Sequence, residues 1–431
     1  MSGAVRAAQQ LFGKLVPAEQ ASVAKSASTI VRDFTRYAEG DQVLLNGRRL
    51  SSPLKRDKSS PVPNGNGSIQ HNDILGQPLS TLRIDGADNR YVTVQYPSLD
   101  QYVSMTRRNV TPIYSSYAST VVSLLDLHVH PPTTDSEVAP DSDRVDILEA
   151  GTGHGSLTLH LARAIAVGNA PQPVTALPRG RQSSLLQAVQ ASEELPDDVD
   201  PEWSAWFRSR RAVVNTVENV SKNSTDAEKL IRGFRQGLYW PHIDFYASGV
   251  DDWIDARLVD RDERDCGFLT HVILDMPGVE NMLSRAAAAM QEDAKLIVFC
   301  PSITQVAECQ KLIKQDNLPL VLEKAVELGE GISTGRIWDV RIVTPRPPRL
   351  LRHQRASDSP HESADPDTEN SGSTSEDQAF VEERQKTFDE SSKMVCRPKV
   401  GELTFGGGFL GLWRKSTFKK PTNATETAGP F

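Results

Sequence analysis

Cysteine is scarce in this chain: four residues among 431, Cys266, Cys300, Cys309 and Cys396, with no Cys-x-x-Cys pair. That excludes a disulfide scaffold and a standard zinc ribbon, and it suits a reducing, intracellular compartment. Long apolar runs are also missing. The longest, residues 295–300 and 271–276, fall far short of the roughly 18–20 residues a transmembrane helix needs, so no membrane partner is expected. Positive charge is not in excess either, since 48 Lys and Arg face 56 Asp and Glu for a net charge of −8. A generic nucleic-acid-coating protein is thereby excluded, and any nucleic-acid partner has to meet local basic patches. At 431 residues there is room for more than one domain, while a hydrophobic content of 38% is low for a wholly compact chain and predicts solvated linkers.

The N-terminus carries Arg6 and Lys14 but no acid before Glu19, among many Ala and Ser residues. Residues 1–38 read as an extension with the texture of a mitochondrial presequence; a frayed N-terminal helix is the alternative. Residues 39–110 read as a small β unit, because Val43-Leu44-Leu45 precedes a turn at Asn46-Gly47 and residues 91–96 alternate with the period of a strand. Between them, residues 51–68 are rich in Ser, Pro, Lys and Gly and read as a loose loop.

A second texture begins at Arg144-Val145-Asp146-Ile147-Leu148, a short run that ends in glycines and flows into the helical pattern Leu157, Leu159, Leu161, Ala164, Ile165. Strand, glycine turn and helix open a βαβ unit. Later strands are expected at residues 212–217, 243–247, 269–274 and 296–299, and helices at residues 282–290 and 304–315. Such alternation implies an α/β fold with a mostly parallel sheet. Residues 168–209 read as a surface insertion with an acidic run, and residues 345–393, poor in aliphatics, as a disordered insertion. Residues 336–343 and 409–414 are expected to pair across it.

The chemistry is concentrated in Leu148-Glu149-Ala150-Gly151-Thr152-Gly153-His154-Gly155-Ser156-Leu157. Glycines at alternate positions let the backbone approach a ligand at the carboxyl edge of the first strand. The spacing is not the Gly-x-Gly-x-x-Gly of a dinucleotide site, and Glu149 suits a cationic ligand better than a phosphate. S-adenosylmethionine, with its sulfonium and amino groups, fits. Glu218, after Val213-Val214-Asn215-Thr216-Val217, ends the second strand with a carboxylate able to grip both hydroxyls of a ribose. It lies 65 residues beyond Gly153, against the usual interval of about 20, and the expected insertion accounts for the excess. Val250 and Asp251 follow the third strand and are candidates to bracket an adenine. Val272-Ile273-Leu274-Asp275-Met276-Pro277 ends the fourth strand in a carboxylate, so Asp275 is expected at the same sheet edge.

Taken in order, Glu-Ala-Gly-Thr-Gly-x-Gly-Ser-Leu, an acid ending strand two and Leu-Asp-x-Pro ending strand four resemble the catalytic subunit of the tRNA (adenine-58-N1)-methyltransferases. Residues 39–45, 71–76, 112–114 and 299–306 resemble further stretches of that family. The resemblance implies a Rossmann-like class I methyltransferase sheet over residues 111–344 with 394–415, and a small N-terminal β domain. It implies S-adenosyl-L-methionine contacts at Ile113, Tyr114, Glu149, Gly151, Thr152, Gly153, Gly155, Ser156, Leu157, Glu218, Asn219, Val250, Asp251 and Asp275, with Asp275 as the catalytic residue and no metal. The implied reaction is methyl transfer to N1 of adenosine 58 in tRNA, with Asp275 hydrogen-bonded to the adenine amine. A tetramer is implied, either of identical chains or with a non-catalytic paralogous subunit, in the mitochondrion or, as the alternative, the nucleus.

Three positions depart from the family pattern: His154 stands where serine is common, Gly278-Val279-Glu280 follows Leu-Asp-x-Pro where a tryptophan is expected, and Thr111-Pro112 replaces a glutamine. A non-catalytic RNA-binding subunit, a protein methyltransferase and a nicotinamide-dependent oxidoreductase remain as rivals. Arg48, Arg49, Lys55, Arg56, Lys58, Arg107 and Arg108 are the local cations available to RNA.

Overall fold

A computed structural model describes residues 32–63, 67–85, 91–132, 144–178, 200–259, 267–329, 338–343, 393–398 and 407–416. Residues 1–31 of the expected extension 1–38, the acidic run at 193–198 and nearly all of the expected disordered insertion lie outside the described residues, whereas Tyr37, inside that expected extension, is buried in the N-terminal core and so corrects its boundary.

Along the chain come the short strands β1 (Leu44–Leu45), β2 (Arg49–Leu50), β3 (Ser59–Pro61), β4 (Ser68–Gln70), β5 (Leu82–Asp85) and β6 (Tyr91–Gln95), then helices α1 (Leu99–Met105) and α2 (Ser115–Leu125). The α/β part follows with β7 (Val145–Ala150), α3 (Ser156–Ile165), α4 (Pro201–Arg208), β8 (Ala212–Val217), α5 (Ser221–Gly233), β9 (Ile243–Tyr246), α6 (Val250–Val259) and β10 (Leu269–Leu274). It ends with α7 (Leu283–Ala289), β11 (Met290–Cys300), α8 (Ile303–Gln315), β12 (Leu320–Leu328), β13 (Trp338–Val343), β14 (Lys393–Pro398) and β15 (Gly408–Lys415). None of the described helices is long and apolar enough to cross a membrane.

Seven of the strands from β7 onward, all but β13 and β14, form a sheet of order β12-β15-β11-β10-β7-β8-β9. Counted from β7 this is 3-2-1-4-5-7-6; the pairs β10–β11, β10–β7 and β8–β9 are parallel, and β15 runs antiparallel to both of its neighbours. The order reverses at β7, the place where doubly wound sheets carry their ligands. The expected α/β fold with a Rossmann-like sheet and a small N-terminal β sheet is therefore present.

The chain divides into two compact units, one of Met1–Pro112, Leu127–Asp146 and Thr152–Ser248, the other of Ile113–Asp126, Ile147–Gly151 and Gly249–Phe431. In the first, the N-terminal strands make a four-stranded sheet, β2-β1-β6-β5, and a separate β3–β4 hairpin. Tyr37, Val43, Leu45, Leu54, Ile69, Ile74, Val92 and Val94 form its core. The expectation of a loose loop at residues 51–68 is corrected by this hairpin. Lys55 N–H donates to His71 Nδ1 at 3.0 Å, and Ser60 Oγ lies 2.8 Å from His71 Nε2. His71 is wholly buried, so local side-chain hydrogen bonds replace the hydration that a polar segment would otherwise seek.

The first unit also holds α3, α4, α5, β8 and β9. Helix α4 starts where Asp200 caps it, accepting from Glu202 N–H at 2.9 Å, with Pro201 in the first turn. It buries Trp203, Trp206 and Phe207, and the two indole N–H groups donate to Ala176 O at 3.0 Å and Ala170 O at 2.9 Å. The C-terminal end of the expected surface insertion is thus core.

In the second unit β10 and β11 run parallel to each other, and β10 pairs with β7 in the register Leu274↔Ala150. Strand β15 lies between β11 and β12. Trp413 is fully buried there, its Nε1–H donating to Gln310 Oε1 at 2.8 Å. The expected pairing of residues 336–343 with 409–414 is not found: β13 pairs with β14, Val340 facing Cys396. The apolar alternation of 409–414 is satisfied instead by β11 and β12, which bury Leu410, Leu412 and Trp413.

Candidate functional site

The second unit brings the start of the glycine turn and the end of the fourth strand together. Gly151 has φ +95°, and a methyl group built on it would stand 2.0 Å from the Asp275 carbonyl oxygen. No L side chain fits that position without moving backbone. Asp275 N–H donates to Ala150 O at 2.8 Å, extending the β7–β10 pairing by one bond beyond Leu274. Asp275 is half-buried at this tip and Pro277 is exposed. Glu149, by contrast, is buried within β7 at 1% exposure, in register with Ile273. Val250 is buried in the first turn of α6, with Asp251 half-buried beside it. The Asp251 carboxylate folds back toward Gly249, where a built Cβ would lie 2.5 Å from its Oδ1. Ile113 is buried and Tyr114 caps α2 in extended conformation, its ring edge-on to Tyr117 at 5.9 Å.

The juxtaposition of two cysteines was not visible in the sequence. Cys300 and Cys309, on β11 and α8, are both buried free thiols joined by a hydrogen bond. That bond pulls the Cys300 thiol below the usual range, and the Asp275 and Glu280 charges oppose it.

The first unit holds the rest of the turn. Gly153 and Gly155 both have positive φ, +50° and +84°. A Cβ on Gly155 would stand 3.1 Å from Ala227 Cβ, so the glycine lets the start of α3 lie against α5. Thr152 Oγ1 is 2.7 Å from Thr216 Oγ1 on β8, both buried. Glu218 then ties the turn to the strand end. Its Oε2 accepts from Gly153 N–H and its Oε1 from Val220 N–H, both at 3.0 Å, and it is 7% exposed. Each oxygen keeps a second lone-pair direction for a further donor. Asn219, next in sequence, is exposed, and Leu157 is buried within α3. Ser156 Oγ, at the first position of α3, is buried and has no hydrogen-bond partner among the described residues. A buried hydroxyl in that condition keeps its hydrogen-bonding capacity for a further partner.

His154 is 7% exposed, and its Nε2 lies 3.3 Å from Thr106 Oγ1. Burial, reinforced by the Arg108 charge, lowers its pKa to about 4, so the ring is neutral at pH 7.

No family model matches the chain. Two curated relatives do, the tRNA (adenine(58)-N(1))-methyltransferases TrmI of two strains of Thermus thermophilus, each 26% identical over 282 residues, 65% of this chain and 80% of the relative. The resemblance expected from the motifs is real. Among solved structures, the tRNA (m1A58) methyltransferase TrmI of Aquifex aeolicus has a TM-score of 0.47 at 15% identity, covering 89% of this chain and 100% of that one. A SAM-dependent O-methyltransferase of Thermotoga maritima has a TM-score of 0.48 at 15% identity, covering 93% and 100%.

Proposed function

We propose that this chain is an S-adenosyl-L-methionine-dependent methyltransferase that acts on N1 of adenosine 58 in tRNA. The observation that carries the reading is the apposition of Gly151 and Asp275: the backbone of the cofactor turn and the candidate carboxylate share one sheet edge. The curated relatives bear the name of the same activity.

The residues present fit the cofactor. Ser156 Oγ lacks a partner among the described residues and Glu218 keeps acceptor capacity on both oxygens, which together offer a hydroxyl and a carboxylate to ribose or amino groups. Gly151, Gly153 and Gly155 leave three alternate positions of the turn without side chains. Bound there, S-adenosylmethionine supplies a methyl group on a sulfonium centre, open to in-line attack by a lone pair.

Asp275 does the positioning. N1 of neutral adenine carries the attacking lone pair, and the product base is a cation. A carboxylate accepting from the adenine N6 amine fixes the ring plane and stabilises the positive charge as it grows. No general base is required, because N1 of adenine carries no proton to remove. His154 is buried and neutral, and takes no acid–base part.

The test is incubation of the protein with an unmodified tRNA transcript and labelled methyl donor, followed by nucleoside mass spectrometry. The expected product is 1-methyladenosine at position 58. Asp275→Ala is expected to lower the single-turnover rate by about 100-fold or more while retaining cofactor binding. An unchanged rate removes Asp275 from the chemistry, and a different methylated product replaces the substrate assignment.

A further inference from the structure

Within the first unit lies a cavity of about 370 Å³ that the methyl-transfer chemistry does not use. Of all the residues assigned to the cofactor, only Gly153 reaches it. Its size is that of a small-molecule site. Tyr102 and Met105 supply apolar wall, and Gln42, Asn109 and Asn223 supply amides. Tyr102 is held in place, its Oη–H donating to Leu230 O at 2.8 Å and its ring centroid 4.9 Å from Phe234.

The amides are oriented by their own bonds. Gln42 Nε2 donates to Ser51 O at 3.0 Å, and Asn109 Nδ2 donates to Asp226 Oδ2 at 2.7 Å. Each amide thus has its NH₂ group engaged and keeps its carbonyl oxygen as an acceptor. Asp226, which also lines the cavity, is further engaged by Lys229 at 3.7 Å. Gly153 and the neutral His154 ring also line it.

Cations line the cavity or neighbour its lining residues in sequence. Arg107 lines the cavity and is exposed. Leu50, Ser51 and Pro53 line it from a segment in which residues 48–58 carry Arg48, Arg49, Lys55, Arg56 and Lys58 against the single acid Asp57. All five cations are exposed.

We propose that this cavity seats one unpaired nucleotide of the RNA, separate from the base that is methylated, and that it takes a base bearing an exocyclic amine. The proposal rests on the RNA reading of the preceding section. Aromatic and thioether walls with amide groups suit an unstacked base read along its edge, and the carbonyl oxygens of Gln42 and Asn109 select adenine or cytosine over uracil. The cations outside meet the phosphates on either side, which position the strand without reading it.

The experiment measures, on the full chain at fixed salt, the affinity of an unmodified tRNA transcript for wild type, Asn223→Ala, Met105→Trp and Arg107→Ala, with a cofactor titration on each preparation. Met105 is 38% exposed, so a larger side chain there blocks the cavity without overpacking the core. Asn223→Ala and Met105→Trp are expected to weaken transcript binding about tenfold, the scale of one stacked and hydrogen-bonded base. Arg107→Ala is expected to reduce the salt dependence by about one phosphate contact. Cofactor affinity stays within about twofold of wild type in all three. Transcript affinity unchanged in both Asn223→Ala and Met105→Trp overturns the proposal, as does an equal loss of cofactor affinity, which assigns the cavity to the cofactor. A wild type that methylates tRNA while the variants bind normally refutes the subsite alone; a wild type that binds cofactor but no transcript refutes the RNA reading and the subsite with it.

Discussion

Gly151 and Asp275 touch through backbone: the Gly151 Cα lies so near the Asp275 carbonyl that a Cβ would stand 2.0 Å from its oxygen. Gly151→Ala must therefore shift β10 or the turn, and it must also place an alanine at φ +95°. The conformational cost alone is about 1–3 kcal/mol. We expect a lower unfolding midpoint and a loss of cofactor affinity greater than tenfold, on the order of the same energy, read by calorimetric titration. Wild-type affinity in Gly151→Ala contradicts the close approach.

Glu218 holds two backbone donors at once, Gly153 N–H and Val220 N–H. Glu218→Ala leaves both without their acceptor, at about 1–3 kcal/mol for each donor that stays buried. Glu218→Gln keeps the shape but turns an NH₂ toward one of the donors. The expected order of cofactor affinity is wild type, then Gln, then Ala, and the measurement is equilibrium binding of S-adenosylmethionine. A variant Ala protein that binds as tightly as wild type removes Glu218 from the site.

His154 makes stability depend on pH in a defined window. The unfolded chain takes up a proton at His154 below about pH 6.5, whereas the folded protein resists until about pH 4. The contribution is complete above 6.5 and is lost as pH falls from 6.5 toward 4, with a slope of at most ~1.4 kcal/mol per pH unit. His271, lowered to about 4, and His242, lowered to about 3, shift in the same direction for the same reason, burial. Urea denaturation at pH 7 and pH 5 is expected to show a smaller acid loss in His154→Gln than in wild type. Equal losses contradict the assignment.

Arg210 and Asp244 form a buried two-point pair, with side chains 6% exposed and a second contact, Nη2 to Oδ2, of 3.1 Å. Arg210 also donates to Phe207 O and Pro241 O. Asp244→Ala strands the guanidinium, at about 3–5 kcal/mol. Urea unfolding of Asp244→Ala is expected to show this loss. A loss below about 1 kcal/mol would place the pair in the solvent-exposed class.

How much of this was legible in the sequence differs from element to element. Strand β7 and its turn were readable because a β-branched run followed by alternating glycines has few other physical meanings. Glu218 was readable as an acid at a strand end. That it bonds to the turn's own Gly153 amide was not, because the contact spans 65 residues and depends on tertiary placement. The pairing of β15 was misread for a similar reason: alternation in residues 409–414 specifies a strand and a buried face, but not which neighbours supply the ladder. Ser60 misled as well, since a residue polar enough for a loop is buried by bonding to His71. The cavity beside His154 draws its walls from several separate segments, and no single stretch announces it.

The place of β15 has a consequence for biosynthesis. Until residues 408–415 leave the ribosome, β11 has no partner on one side and β12 has none to hold it to the sheet. A nascent chain that stalls after residue 328 presents the unsatisfied backbone edge of β11, the kind of template that other strands capture. Holding that edge apart until β15 arrives is a task suited to a chaperone.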